Sequence, residues 1–279
     1  MTSTTPFTVP TAGALPAYTR PQKVTQARVL RSEWTKLRTQ PSTFWALLAT
    51  MILITGFGIG YSLLREARPP HGAALASFDP AAVSLSGVLL AQIAAGVLGV
   101  LLVTSEYATG LIRSTLAAVP RRLPVLWGKA ALAAAATLAV SLPAAFAAFL
   151  AGQSILARQH LSVGLSQPGV ARAVTGTALY LAVAALLGLG LGALLRSTAG
   201  AIAALFGVLF AVQLVVGFLP GSWADDVGKY VPATAGQAVT TVHPDPVSSL
   251  SPWTGLGVFC LYAAVLFGLA ALRMRRGDV

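Results

Sequence analysis

Six stretches of this 279-residue chain, 44–64, 83–104, 130–152, 173–195, 199–219 and 253–272, each run for about twenty residues without Asp, Glu, Lys, Arg or His. A helix crossing a hydrocarbon core of about 30 Å needs roughly that length. Inside lipid a backbone must satisfy its own polar groups, so a spanning segment is a helix or part of a closed barrel. Unbroken apolar runs, as opposed to strict alternation, select the helix. Composition points the same way: 56% of residues are hydrophobic and only 10% charged, against roughly 25% charged in a soluble domain. The expected fold class is all-α, a polytopic membrane protein with six transmembrane helices.

With the charges confined to what lies between the runs, their distribution predicts an orientation. An inside N-terminus puts Arg20, Lys23, Arg28, Arg31, Lys36, Arg38, Arg113, Arg121, Arg122, Lys129, Arg196, Arg273, Arg275 and Arg276 in the cytoplasm. It leaves only Arg65, Arg68, Arg158, Arg172 and Lys229 outside, as the positive-inside rule requires. The net charge of +11 is then a topology signal, and no nucleic-acid partner is needed to explain it. The expected location is the plasma membrane, with both termini cytoplasmic.

The remaining segments divide accordingly. Residues 1–22, rich in Thr, Pro and Ala, read as a disordered cytosolic leader with no signal-peptide core. In 23–40, Val24, Ala27, Leu30, Trp34 and Leu37 recur every three or four residues, an amphipathic pattern that suits an interfacial helix. A transmembrane domain follows over 44–272, with a long basic cytoplasmic loop at 105–129 and a Pro- and Gly-rich external loop at 220–252 expected to fold as short interfacial or re-entrant pieces. A basic tail closes the chain at 273–279. Gly56, Gly58 and Gly60 in the first run and Gly188, Gly190 and Gly192 in the fourth carry the small-residue spacing that lets helices approach closely.

Sites for chemistry are sparse. The pairs Gly128-Lys129 and Gly228-Lys229 lack the earlier glycine of a phosphate-binding loop. His71, His160 and His243 fall in three separate loops, and the single cysteine, Cys260, has no partner for a metal or disulfide. Asp225 and Asp226 are adjacent in a polar loop, where solvated charge is the ordinary reading, and no run holds a base for a serine nucleophile. No catalytic, cofactor or metal site is expected. An ion-coupled transporter ordinarily keeps ionisable groups or broken helices at mid-membrane, whereas the runs offer Gln92, Gln213, hydroxyls and Pro143.

The segment Ser105-Glu106-Tyr107-Ala108-Thr109-Gly110-Leu111-Ile112-Arg113-Ser114-Thr115-Leu116, continuing through Pro120-Arg121-Arg122 to Gly128-Lys129, resembles the first cytoplasmic loop of ABC-2 type transporter permeases. A Glu stands four residues before a Gly at the end of the second run, and a Pro with basic residues precedes the Lys that opens the third. Arg31-Ser32-Glu33-Trp34-Thr35-Lys36-Leu37-Arg38-Thr39 with Pro41-Ser42-Thr43-Phe44-Trp45, and Tyr230-Val231-Pro232 with Ala235-Gly236-Gln237-Ala238, are similar to other parts of the same family, especially its actinobacterial members. Leu111 departs from it, standing where many members have Thr.

The resemblance implies a permease subunit of an ATP-driven exporter, with amphiphilic small molecules, lipids or peptides as cargo and ATP hydrolysis on a separate ATP-binding subunit. A second permease chain, the same or different, would complete the transport path. It further implies a coupling element in which Glu106, Tyr107, Gly110, Leu111, Ile112, Arg113, Leu116, Pro120, Arg121 and Arg122 meet the ATPase. Glu106 and Arg113 would exchange hydrogen bonds with it, Leu111, Ile112 and Leu116 would fill its groove, and Arg121 and Arg122 would lie against headgroups or acidic partner residues. The residues alone leave two alternatives open: a secondary transporter or scaffold acting without an ATPase, and an intramembrane hydrolase.

Overall fold

The computed structural model describes residues 26–72, 75, 78–108, 122–218, 222–243 and 249–276. Among them every regular element is a helix. Helix α1 (Gln26–Thr39) leads into α2 (Pro41–Ala67), with Pro41 at the first position of α2, where a missing N–H costs nothing. A short α3 (Pro80–Ser84) is capped by Asp79, whose carboxylate accepts from the backbone of Ala81 and Ala82 at 2.9 and 3.0 Å. Then come α4 (Val88–Ala108), α5 (Arg122–Leu156) and α6 (Val170–Leu195). Helix α7 (Thr198–Phe206) runs through a π segment at Gly207–Ala211 into α8 (Val212–Gly217). Two short helices, α9 (Ser222–Gly228) and α10 (Pro232–Gln237), precede α11 (Pro252–Arg276).

Six of these helical stretches are long and apolar enough to cross a membrane: Pro41–Ala67, Val88–Tyr107, Pro124–Gln159, Val170–Leu195, Thr198–Gly217 and Pro252–Arg273. They coincide with the six uncharged runs but overrun them. The expectation that every charge lies in a loop or tail is therefore corrected, since Glu106, Lys129 and Arg172 are all helical. Turns such as Arg65-Glu66-Ala67 and Arg273-Met274-Arg275-Arg276 are made of good helix formers and continue the helix past the last uncharged residue. Pro143 sits inside α5 without ending it.

Helix α6 is the hub, buried along most of its length and packed against α4, α5 and α11. Lipid tails are as apolar as leucine, so spans associate through close van der Waals packing. Ala and Gly on α4 and α6 make that possible. A Cβ at Gly188 would run into the Gly96 carbonyl, and one at Gly99 into the Ala185 carbonyl. Of the glycines singled out in the first run, only Gly58 has this role, facing the Ser84 carbonyl; a Cβ at Gly60 would meet nothing within 4 Å.

The end of the bundle remote from α1 is tied by polar groups. Gln153 on α5 donates to the Pro80 carbonyl and the Ser84 hydroxyl, both at 2.9 Å, and accepts from the Val163 N–H at 2.8 Å. Arg172 donates to the carbonyls of Val239, Thr241 and Val242 at 3.3, 3.0 and 3.4 Å. Helix α10 sits against α11, and its Gln237 donates to the Tyr180 hydroxyl at 3.5 Å. That hydroxyl in turn donates to Gln92 on α4. Tyr180 lies ten residues into α6, about 15 Å from its start at 1.5 Å per residue, so part of the 220–252 connection reaches well into the bundle.

Candidate functional site

At the α1 end, three helices contribute one cluster of four charges. Glu33 and Lys36 are one turn apart on α1, Glu106 stands in the last turn of α4, and Lys129 is two turns into α5. Lys129 Nζ donates to Glu33 Oε2 at 2.6 Å, to Glu106 Oε1 at 2.9 Å and to the Leu102 carbonyl at 3.2 Å. Lys36 Nζ donates to Glu33 Oε1 and to Glu106 Oε1, each at 2.8 Å. The two carboxylates and Lys129 are almost fully enclosed, whereas the Lys36 side chain keeps 40% of its exposure.

Two acids and two bases cancel in net charge, which is the condition under which ions survive burial. An apolar layer beneath closes the cluster off from the interior of the bundle. Leu98, Leu102, Val103, Leu126 and Ala130 are buried there, and Leu37 packs against them. Every donor of Lys129 is matched, yet Glu106 Oε2 is buried with no hydrogen-bond partner among the described residues. Beside it lies a cavity of about 290 Å³, bounded by Glu33, Lys36, Gln40, Leu102, Ser105 and Lys129 among others. Burial works against the charge on Lys36, but the hydrogen bonds it donates to Glu106 and Glu33 and their negative charge outweigh it, holding its pKa above the ordinary lysine range.

Of the residues assigned to coupling, Glu106 is turned inward to the two lysines. Tyr107 lies under Arg196, whose guanidinium carbon is 5.5 Å from the ring centre. Arg196 Nε and Nη2 are buried without hydrogen-bond partners among the described residues. Arg122 opens α5. Gly110, Leu111, Ile112, Arg113, Leu116, Pro120 and Arg121 lie outside the described residues. Charge pattern alone did not single out Glu33, Lys36 or Lys129 for this cluster. The available signal was scarcity: Glu33, Glu106 and Asp278 are the only acids that the expected topology puts on the basic side.

The polar residues noted inside the runs separate into two kinds. Gln92 is buried and bonded to Tyr180. Gln213, on α8, faces outward among exposed Leu214, Val215 and Phe218 and has no hydrogen-bond partner among the described residues. Asp225 and Asp226 are on α9, where Asp226 pairs with Lys229 at 3.3 Å. Cys260 is exposed on α11.

No family model matches this sequence, and no curated protein does.

Proposed function

We propose that this chain is the permease subunit of an ABC-2 type transporter, an exporter of amphiphilic small molecules, lipids or peptides driven by a separate ATP-binding subunit. In this reading it is a multi-pass plasma-membrane protein with cytoplasmic termini, α1 lies in the inner interface, and the sequence joining α4 to α5, 109–121, belongs to the cytoplasmic side.

The observation that carries it is the ion cluster at the root of that segment. Glu106 precedes it by three residues, Lys129 follows it by eight, and both are bonded to α1. A push on 109–121 would therefore be transmitted to three helices together. Glu106 then serves to transmit the push inside the permease, while contact with the ATPase falls to the loop itself. Gln213 supports a second permease chain, because an unpaired carboxamide facing hydrocarbon is costly and a neighbouring helix can satisfy it.

Co-purification of an ATPase with the tagged chain tests the assignment, and reconstituted transport with and without ATP tests the energy source. Replacing Glu106 by Gln should uncouple ATP hydrolysis from transport while the ATPase remains bound. Transport by the chain alone that collapses with a proton ionophore would favour the secondary-transporter alternative.

A further inference from the structure

A second cavity of about 310 Å³ opens on the flank of the bundle between α5, α6 and α11. Its walls include Leu126, Trp127, Leu186, Ala264, Phe267 and Gly268, and every residue bounding it is apolar. It runs along α11 from Cys260 to Ala271, eleven residues or about 16 Å, which is half of a hydrocarbon core of about 30 Å. The groove is therefore one leaflet deep, on the α1 side. Trp127 marks the outer limit of that leaflet: it is 61% exposed and stacks on Phe267 at 6.1 Å, and Trp favours the membrane–water boundary.

Two arginines stand at the same mouth by backbone position. Arg122 comes one helical turn before Leu126, and Arg275 one turn after Ala271. An uncharged guest would draw nothing from them, and a zwitterionic headgroup little, whereas an anionic phosphate at headgroup level would be attracted to both.

We infer that this groove seats one acyl chain of an anionic phospholipid from the leaflet on the α1 side, with Arg122 and Arg275 at the level of its phosphate. The site is separate from the ion cluster and stands whether or not the chain is a permease. Gly268 lies open to the groove, since a Cβ there would meet nothing within 4 Å, so a large side chain can fill the space without displacing a neighbour.

The full-length chain, purified in detergent with phosphatidylglycerol and phosphatidylcholine of matched chain length, is examined by native mass spectrometry. Wild type should retain one phosphatidylglycerol per chain with at least a tenfold preference. Gly268→Phe should lose both lipids, while Val215→Phe, on the exposed face of α8, should behave as wild type. Arg122→Gln with Arg275→Gln should still retain lipid but lose the preference, about five-fold per arginine. Equal retention of the two lipids by wild type, a preference that survives neutralising both arginines, or undiminished binding in Gly268→Phe would each overturn the assignment. Should Gly268→Phe fail to fold, the arginine variants decide alone.

Discussion

Lys129 is the least replaceable residue of the cluster, because it alone bonds both carboxylates from inside the bundle. Lys129→Met leaves Glu33 and Glu106 sharing Lys36, and an uncompensated buried charge costs about 3–5 kcal/mol. Thermal unfolding in detergent should register that loss, and Lys129→Met combined with Glu106→Gln should recover a large part of it, since the second change removes the orphaned charge. Lys36 behaves differently. Its folded pKa is raised above the ordinary value of 10.5, so its stabilisation is fully present below that value and lost as pH climbs through the folded one. Wild type should therefore keep a flat Lys36 contribution across neutral pH and lose stability above about pH 10.5 more steeply than Lys36→Met, which a series of melting curves would resolve.

Between elements, the tightest seam is that of α4 with α6. Gly188→Leu must displace the backbone of α4 and should lower stability by about 1–3 kcal/mol or more. Gly60→Leu, in open space on α2, should stay within about 0.5 kcal/mol. Resistance to proteolysis during heating separates the two. The existence of the six long helices was legible from the sequence because apolar length and the cost of bare backbone in lipid are properties of contiguous residues. Their ends were not, since helix geometry tolerates a terminal charge that a count of uncharged residues excludes, as at Glu106 and Lys129. The inward face of α1 was legible only in part. Periodicity put Leu37 and Trp34 together, yet Trp34 is half exposed while Glu33 is 4% exposed. The reason is that Glu33 finds its partner 96 residues away, a pairing to which no local period is sensitive.

For the molecule as a whole, the distribution of burial sets out which surfaces look elsewhere. The α7–α8 stretch is among the least buried of the six, and it combines a π segment with Gln213, which has no hydrogen-bond partner among the described residues. If a second chain packs there, Gln213→Leu should leave the melting temperature of the dispersed protein unchanged and weaken association by about 1 kcal/mol. Resonance energy transfer between labelled copies, and between this chain and a candidate heterologous permease, measures that directly. Glu106 shows most clearly how far the candidate site could be read beforehand. Its place at the end of a span was evident from the sequence, but its commitment to two lysines on different helices required the tertiary fold.

Helix α5 has 35 residues, so at 1.5 Å per residue it is about 52 Å long and outreaches a hydrocarbon core by some 20 Å. Lys129 holds it seven residues from its first, about 10 Å along the axis, with about 40 Å remaining on the other side. The two arms differ in kind as well as length, because Pro143 interrupts the hydrogen bonding of the longer one and the shorter one holds no proline after Pro124. A nudge at the first turn of α5 would reach Lys129 along that short arm and pass sideways to α1 and α4, while Gln153 anchors the far tip to Pro80, Ser84 and Val163.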